Sequence, residues 1–214
     1  YDNDLDLDLL VCNHANQNEK LYRNDGSGVF TSITGTSLVT SNGYSICSAW
    51  GDIDNDGDID VYVTNGFGAA GGDQNFLFEN NNDGTFTKVL TGAPVTDLGW
   101  SYGCAFGDID SDGDLDLAVA KCFSANENDA LYTNDGNSNH WITFNLAGLA
   151  SNWSAIGARV RMKATIGGSP RWQMREVTSQ SGYAGQSQMD PHFGLGDATM
   201  ADSVVINWPS GIIT

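Results

Sequence analysis

The amino-acid sequence predicts an all-β fold, in which a partial β-propeller is followed by a small, β-rich, sandwich-like domain. Three observations support this prediction. Two Asp-rich loops, 52–60 and 108–116, begin 56 residues apart (108 − 52). Each loop is followed by a β-branched, apolar run that is typical of a strand. The Asp-rich pattern stops near residue 140, and strand-like segments without it continue to the end. A repeat of this period indicates propeller blades or a solenoid.

Both loops carry Asp at positions 1, 3, 5, 7 and 9 and Gly at position 6. Their acidic residues are Asp52, Asp54, Asp56, Asp58, Asp60, Asp108, Asp110, Asp112, Asp114 and Asp116. Ca²⁺ takes about six to eight oxygen ligands in flexible geometry, and glycine permits the backbone angles that close a tight loop. By analogy with other calcium loops, positions 1, 3, 5 and 9 supply carboxylates and position 7 supplies its backbone carbonyl. The sequence therefore predicts two Ca²⁺ sites.

The residues after the loops exclude an EF-hand. An EF-hand loop has a bidentate Glu at position 12 and is flanked by helices. Position 12 is Val63 in one copy and Val119 in the other, and both lie in apolar runs. Each loop is therefore expected to join two strands.

The rest of the repeat gives the composition of a blade. A Leu-aromatic-x-Asn segment follows each loop, at 77–80 and 131–134, and a third copy occupies 21–24. A Gly-containing turn comes after each of these segments. The pattern predicts four short strands and their turns in each unit, which is one propeller blade.

The N-terminal residues form an incomplete third loop. Asp2, Asp4, Asp6 and Asp8 align with positions 3, 5, 7 and 9, whereas Leu5 stands where the loops have Gly. This alignment predicts a partial metal site. The chain is expected to begin in the middle of a blade and to continue beyond both ends, or to have its open edges covered by neighbouring chains.

These motifs resemble the FG-GAP, or VCBS, repeat family, whose calcium-loop propellers include the heads of integrin α-subunits. The resemblance covers roughly residues 1–140. It implies a β-propeller with calcium bound at a loop between strands of each blade. The ten Asp residues of the two complete loops match the family's ligand pattern, and the N-terminal loop matches it only in part.

The C-terminal residues resemble the ASPIC/UnbV domain, which is shared by cartilage acidic protein and bacterial UnbV-type proteins. The matching segments are Asn152 with 155–159, 181–183, 192–196 and 208–211. The resemblance implies a small β-rich module in a secreted protein and no established chemistry. The predicted domains are therefore 1–140, with blades, and 141–214, where a further strand is expected after Thr214.

Charge and cysteine content limit the functional classes. Residues 1–140 hold 4 Lys/Arg and 23 Asp/Glu, whereas the remainder holds 5 and 4. Such acidity disfavours nucleic acid as a partner, and the absence of an apolar run near 20 residues disfavours membrane insertion.

Cys104 and Cys122 flank one loop on strands expected to be antiparallel, so they are predicted to form a disulfide. Cys12 and Cys47 remain as a second candidate pair.

Asn152 begins an Asn-Trp-Ser sequon, a candidate glycosylation site in a secreted eukaryotic protein. The alternative is that Asn152 is a turn residue of the C-terminal motif.

The three histidines, His14, His140 and His192, lie in unrelated sequence contexts, and His192 is expected to be structural. With no catalytic constellation, the sequence predicts a non-enzymatic, extracellular, calcium-binding module.

That module would present its propeller loops to a protein or glycan ligand. One alternative is a self-assembling structural subunit of a cell-surface fibre or extracellular matrix. Another is the non-catalytic part of a larger secreted hydrolase.

Overall fold

The structure, a computed structural model, describes residues 1–68, 70–122 and 127–214. Helical residues in that part are confined to α1 (Ala93–Thr96) and a 3-10 turn at Ser37–Val39. No helix in the described part has the length and apolar character needed to span a membrane. The predicted all-β class is confirmed.

The first twelve strands form the blades. In chain order they are β1 (Leu9–Val11), β2 (Lys20–Asn24), β3 (Phe30–Ile33), β4 (Ser45–Gly51), β5 (Asp60–Asn65), β6 (Asp73–Gln74), β7 (Phe76–Asn80), β8 (Phe86–Val89), β9 (Leu98–Gly99), β10 (Ser101–Gly107), β11 (Asp116–Lys121) and β12 (Ala130–Tyr132). The sheets follow the orders β1-β2-β3, β4-β5-β7-β8 and β10-β11-β12, and β6 pairs with β9. The second unit is thus the four-stranded antiparallel blade that the repeat predicts.

The second and third units share an irregularity in strand register that the sequence does not predict. In β4 the register shifts between Ser45 and Cys47, and in β10 it shifts between Ser101 and Gly103. These positions are equivalent in the two units. A β-bulge increases the local twist of its strand, so both units bend at the same place.

Strand β5 is buried along its whole length because the second blade lies between the other two. Val61 and Val63 join the apolar core shared with the first blade, which contains Leu21 and Phe78. Tyr62, between them, joins the core shared with the third blade. Alternate residues of a strand point to opposite faces, so β5 contributes to both blade interfaces.

Five strands form the C-terminal part: β13 (His140–Thr143), β14 (Arg159–Ile166), β15 (Ser169–Glu176), β16 (His192–Gly196) and β17 (Ser203–Asn207). One sheet has the order β15-β14-β17, and β13 pairs with β16 in a second sheet. Met162 and Phe193, from the two sheets, are fully buried in one apolar core. The division of the chain at residue 140 stays a prediction.

The C-terminal part packs along the third blade. The Gln188 amide N donates to the Phe106 carbonyl O at 2.9 Å, and its side chain accepts from the Asp108 amide N at 2.8 Å. The hydroxyl oxygens of Tyr102 and Tyr183 lie 3.0 Å apart. Segment 183–188 therefore covers the length of β10 up to the start of its Asp loop.

The cysteines differ from the sequence prediction. All four are free thiols, so neither the Cys104–Cys122 nor the Cys12–Cys47 disulfide is formed. The ladder places Cys104 opposite Val119, three residues short of Cys122. Cys104 Sγ lies instead 3.8 Å from Cys47 Sγ. The predicted Cys104–Cys122 pairing was wrong because the register of β10 and β11 does not place these two residues opposite each other. Strands β4 and β10 instead bring Cys47 and Cys104 together across the blade interface.

Candidate metal centre

Three carboxylates converge in each of the three Asp loops. In every group, one oxygen from each residue lies within 4.8 Å of the others. The groups are Asp52, Asp54 and Asp60; Asp108, Asp110 and Asp116; and Asp2, Asp4 and Asp8. The complete loops thus bring together positions 1, 3 and 9, and the N-terminal loop brings together positions 3, 5 and 9.

Backbone amides hold the carboxylates in place. Asp54 Oδ1 accepts from the Asp56 amide N at 3.2 Å, and Asp56 Oδ1 accepts from the Asp58 amide N at 2.9 Å. Across the loop, Asp52 Oδ2 accepts from the Gly57 amide N at 3.0 Å. The equivalent bonds recur in the third loop. Asp side chains that bind the backbone two residues ahead stabilise tight turns, so the loops are organised by their own sequence.

The backbone angles support the alignment of the N-terminal loop. Gly57 and Gly113 have φ of 98° and 93°, and Leu5 at the same position has φ of 75°. Residues other than glycine seldom adopt this left-handed region. Leu5 therefore keeps the loop shape at a cost of about 1 kcal/mol.

Position 7 points away from the carboxylate group and links neighbouring loops. Asp58 Oδ1 accepts from Asn3 Nδ2 of the N-terminal loop at 2.6 Å. Asp114 Oδ1 accepts from Asn55 Nδ2 of the second loop at 2.7 Å. In both cases position 4 of one loop donates to position 7 of the next. These side chains are engaged elsewhere, which leaves the carbonyl of position 7 for the role assigned by analogy.

The Asn of the Leu-aromatic-x-Asn motif also supports the loops, a role that sequence reasoning missed. The backbone N of Asn80 donates to Asp60 Oδ1, and the backbone N of Asn134 donates to Asp116 Oδ1, at 2.8 and 2.9 Å. The side chains make the bonds that require Asn: Nδ2 of Asn80 donates to the Ile59 carbonyl O at 3.1 Å, and Nδ2 of Asn134 donates to the Leu115 carbonyl O at 3.4 Å. The Asn134 side chain also reaches the Ile53 carbonyl O of the preceding loop at 2.7 Å. The recurrence of this Asn in every unit was the signal that could have revealed it.

Burial sets the electrostatics of the second loop. Asp52 is 1% exposed, and burial raises its pKa to about 7, although Arg175 acts in the opposite direction. Burial also raises the pKa of Asp58 to about 6 and that of Asp60 well above its ordinary value. Each shift reports the cost of placing a carboxylate in a dry, acidic site.

The second loop fits a hard cation. Asp52 Oδ1 is buried and has no hydrogen-bond partner among the described residues, and an unpaired buried polar atom is costly. Converging carboxylate oxygens are the ligand type that Ca²⁺ takes. The third loop has the same arrangement but is more open, since Asp110 and Asp112 are exposed. The role of Asp56 and Asp112 as carboxylate ligands stays a prediction.

Two other candidate residues have structural partners. Asn152 Oδ1 accepts from the Ile156 amide N, and its Nδ2 donates to the Ile156 carbonyl O, both at 2.8 Å. This pair of hydrogen bonds closes a turn, whereas glycosylation of Asn152 stays a prediction.

His192 is buried, and its Nε2 lies 2.7 Å from Asn55 Oδ1. Burial, together with Arg175, lowers the pKa of His192 to about 4.

Comparisons with known proteins agree with this arrangement. The FG-GAP-like repeat family model matches residues 1–63 and 67–119, and the ASPIC and UnbV model matches residues 148–214. Cartilage acidic protein 1 of Mus musculus is 28% identical over 165 residues, which cover 75% of this chain and 25% of that protein. The Homo sapiens protein of that name is 27% identical, over 75% of this chain and 24% of its own.

The chain therefore spans about a quarter of the length of these relatives. The FG-GAP-like matches alone take in more than half of the chain. They take in the three Asp loops and end within β11 of the third blade, and the ASPIC and UnbV match follows them in the order that the motifs predict. This protein belongs to the FG-GAP-like repeat family and carries an ASPIC/UnbV domain at the C-terminal side of its blades.

Proposed function

We propose that this chain is an extracellular, non-enzymatic, calcium-binding module. The observation that carries the proposal is the buried, unpartnered Asp52 Oδ1 beside two further carboxylates. In the second loop Asp52, Asp54 and Asp60 would hold Ca²⁺, and their counterparts would do so in the third. The ion would supply positive charge and rigidity rather than a reaction.

Calcium would relieve two costs at once. The chain has a net charge of −18, and the loops place like charges close together. A divalent cation offsets this repulsion and partners the buried oxygen. The N-terminal group is the weaker candidate, because Leu5 stands at the position that Gly takes in the two complete loops.

The hydrogen bonds of the acidic groups support the proposal of a non-enzymatic module. Asp60 and Asp116 each accept backbone amides on both carboxylate oxygens. Groups fixed in this way are poor general acids or bases, which must exchange protons with a substrate. His192 is likewise buried against Asn55 rather than open to solvent.

A cluster of exposed and half-buried aromatic residues supports a ligand-binding role. Phe67 lies 5.1 Å from Trp100 and 6.1 Å from Tyr102, between ring centroids, and Tyr102 lies 5.3 Å from Tyr183. Tyr183 is 56% exposed. These residues lie at the ends of β5 and β10 opposite the Asp loops. Aromatic residues are enriched in binding surfaces, so we place the protein or glycan ligand at this end.

The extracellular assignment is supported by the relatives. Their name, cartilage acidic protein 1, associates them with cartilage and with an acidic composition, and the present chain is also acidic. Loops of this type suit extracellular calcium, because extracellular modules bind in the range of about 10⁻⁴–10⁻³ M.

Isothermal titration calorimetry of the chelator-treated chain with CaCl₂ tests the proposal. We expect at least two sites, one of which is lost in Asp52→Asn and another in Asp108→Asn. Asp83→Asn is the matched control, because Asp83 lies in a hairpin turn away from the Asp loops and its side chain bonds to Thr85. Absence of calcium binding, or unchanged stoichiometry in both loop variants, would refute it.

A further inference from the structure

The second loop differs from the third in being covered by the C-terminal part of the chain. The Gly194 amide N donates to Asp52 Oδ2 at 2.9 Å, and the Gly196 amide N donates to the Asn55 carbonyl O at 2.7 Å. Both donors belong to β16. The strand therefore lies directly on the loop, with one hydrogen bond to a candidate ligand residue and one to the backbone.

Only glycine permits this approach at position 194. A Cβ built there would lie 2.4 Å from Asp52 Oδ2 and 2.4 Å from the carbonyl carbon of Asn55. The Asn55 atom is backbone, and Asp52 Oδ2 is held by the Gly57 and Gly194 amides, so a larger residue would separate the strand from the loop. Segment 192–196 was identified from the sequence only by its resemblance to the ASPIC/UnbV domain. In the structure this segment contacts the second loop directly.

Two arginines of β15 complete the cover. Arg171 Nη1 lies 3.2 Å from Asp58 Oδ2, and Arg175 Nη2 lies 3.8 Å from Asp52 Oδ2. Arg175 is fixed from behind, since its Nε donates to the His192 carbonyl O at 3.1 Å and its guanidinium lies 5.0 Å from the Phe193 ring. The positive charges are therefore held toward the acidic loop by the C-terminal core.

The third loop has no comparable cover among the described residues. Asp108 Oδ1, equivalent to the unpartnered Asp52 Oδ1, accepts from the Asp112 amide N at 3.2 Å. Trp141 lies against Gly113, but Asp110 and Asp112 remain exposed. The two loops share a sequence pattern and differ in what lies above them.

We propose that β16 together with Arg171 and Arg175 forms a cap that closes over the second loop, so that calcium in this loop fastens the C-terminal domain to the blades. The proposal rests on the proposed function and assigns a role to the C-terminal domain. Calcium draws the Asp52 and Asp60 carboxylates into one arrangement, and the cap binds that arrangement. Loss of calcium leaves repelling carboxylates beneath the cap and loosens it. The second site exchanges its ion slowly, whereas the third exchanges freely with solvent.

Hydrogen exchange followed by mass spectrometry on the full chain tests this proposal. Peptides covering 190–198 should exchange at least tenfold faster in EGTA than in CaCl₂. In Asp52→Asn, which removes a candidate ligand and keeps the acceptor for the Gly194 amide, the exchange of these peptides should no longer depend on calcium. Asp108→Asn, the matched change in the uncovered loop, should leave the exchange of these peptides unchanged.

The reverse experiment measures calcium itself. Gly194→Ala should speed calcium release from one site at least tenfold, measured by stopped-flow with a fluorescent chelator, and leave the other site unaltered. Arg171→Met is a milder variant that keeps β16 in place and should speed release from the same site by a smaller factor.

The outcomes separate the two proposals. If titration shows calcium binding but the β16 peptides exchange equally with and without calcium, the cap is refuted and the proposed function stands. If Asp108→Asn abolishes the calcium dependence of β16 exchange as Asp52→Asn does, the cap is also refuted. If no calcium binds, both proposals fail.

Discussion

Replacement of Asp52 by Asn should have opposite consequences in the absence and presence of calcium. The Asn oxygen can accept the Gly57 and Gly194 amides that Asp52 Oδ2 now accepts. Its NH₂ group would occupy the position of the unpartnered Oδ1. The substitution therefore preserves the shape and hydrogen bonds of the site while it removes a buried negative charge.

The raised pKa of Asp52 gives the size of the destabilisation that its buried charge causes. The pKa of Asp52 is raised to about 7 from an ordinary value of 3.8, and each unit corresponds to about 1.4 kcal/mol. Above pH 7 the ionised carboxylate thus costs the calcium-free fold up to about 4 kcal/mol, which Asp52→Asn relieves. In calcium, wild type gains about 2.7 kcal/mol per site at 100 Kd, and the variant forfeits this at one site.

Differential scanning calorimetry in metal-free buffer, with and without CaCl₂ and with MgCl₂ at equal ionic strength, measures both effects. For a chain of this length, 1 kcal/mol shifts Tm by about 2–4 °C. We expect the calcium-free variant to melt no lower than wild type, and its calcium-dependent rise to be smaller by roughly 5–11 °C. Equal destabilisation of the variant under both conditions would refute the reasoning, since it would make Asp52 a purely structural carboxylate.

Three further results are expected. Because the folded-state pKa of His192 is lowered to about 4, the unfolded state binds its proton first, so this residue alone should subtract about 3 kcal/mol of stability as pH falls from 6.5 to 4, while the raised pKa of Asp52 acts in the opposite direction; urea titrations should show the stability of wild type relative to His192→Gln falling over this range, and an unchanged difference would contradict the assignment. Oxidation with glutathione disulfide should join Cys47 to Cys104, whose sulfurs lie 3.8 Å apart; a non-reduced peptide map showing Cys104 bound to Cys122 would contradict the structure. Asn80→Ala should lower the unfolding free energy by about 1–3 kcal/mol, because it leaves buried carbonyl groups unpaired; a urea midpoint within error of wild type would count against the loop-support role.

Local pattern predicted much of this protein because its repeat is local. The Asp spacing, the Gly at position 6 and the apolar run after each loop all lie within a dozen residues, and these decide that a loop joins two strands. The alignment of Asp2–Asp8 with the later loops is supported by the backbone angle at Leu5. Composition and motif order were enough for the all-β class.

Contacts between residues far apart in sequence could not be predicted from these local patterns. Gly194 and Asp52 are 142 residues apart in sequence, and no periodicity connects them. The thiol pairing failed for a related reason, since the sequence does not show the register offset of β10 or the proximity of β4 to it. The burial that separates the second loop from the third depends on which element lies above it, a property of the tertiary fold.

An anomalous difference map from crystals grown in CaCl₂ tests calcium binding most directly. We expect a peak in the second loop and one in the third, each about 2.3–2.6 Å from carboxylate oxygens. In the second loop those oxygens should include Asp52 Oδ1, beneath the Gly194 amide. Ordered loops with no peak at either position would contradict the claim that these Asp residues form calcium sites.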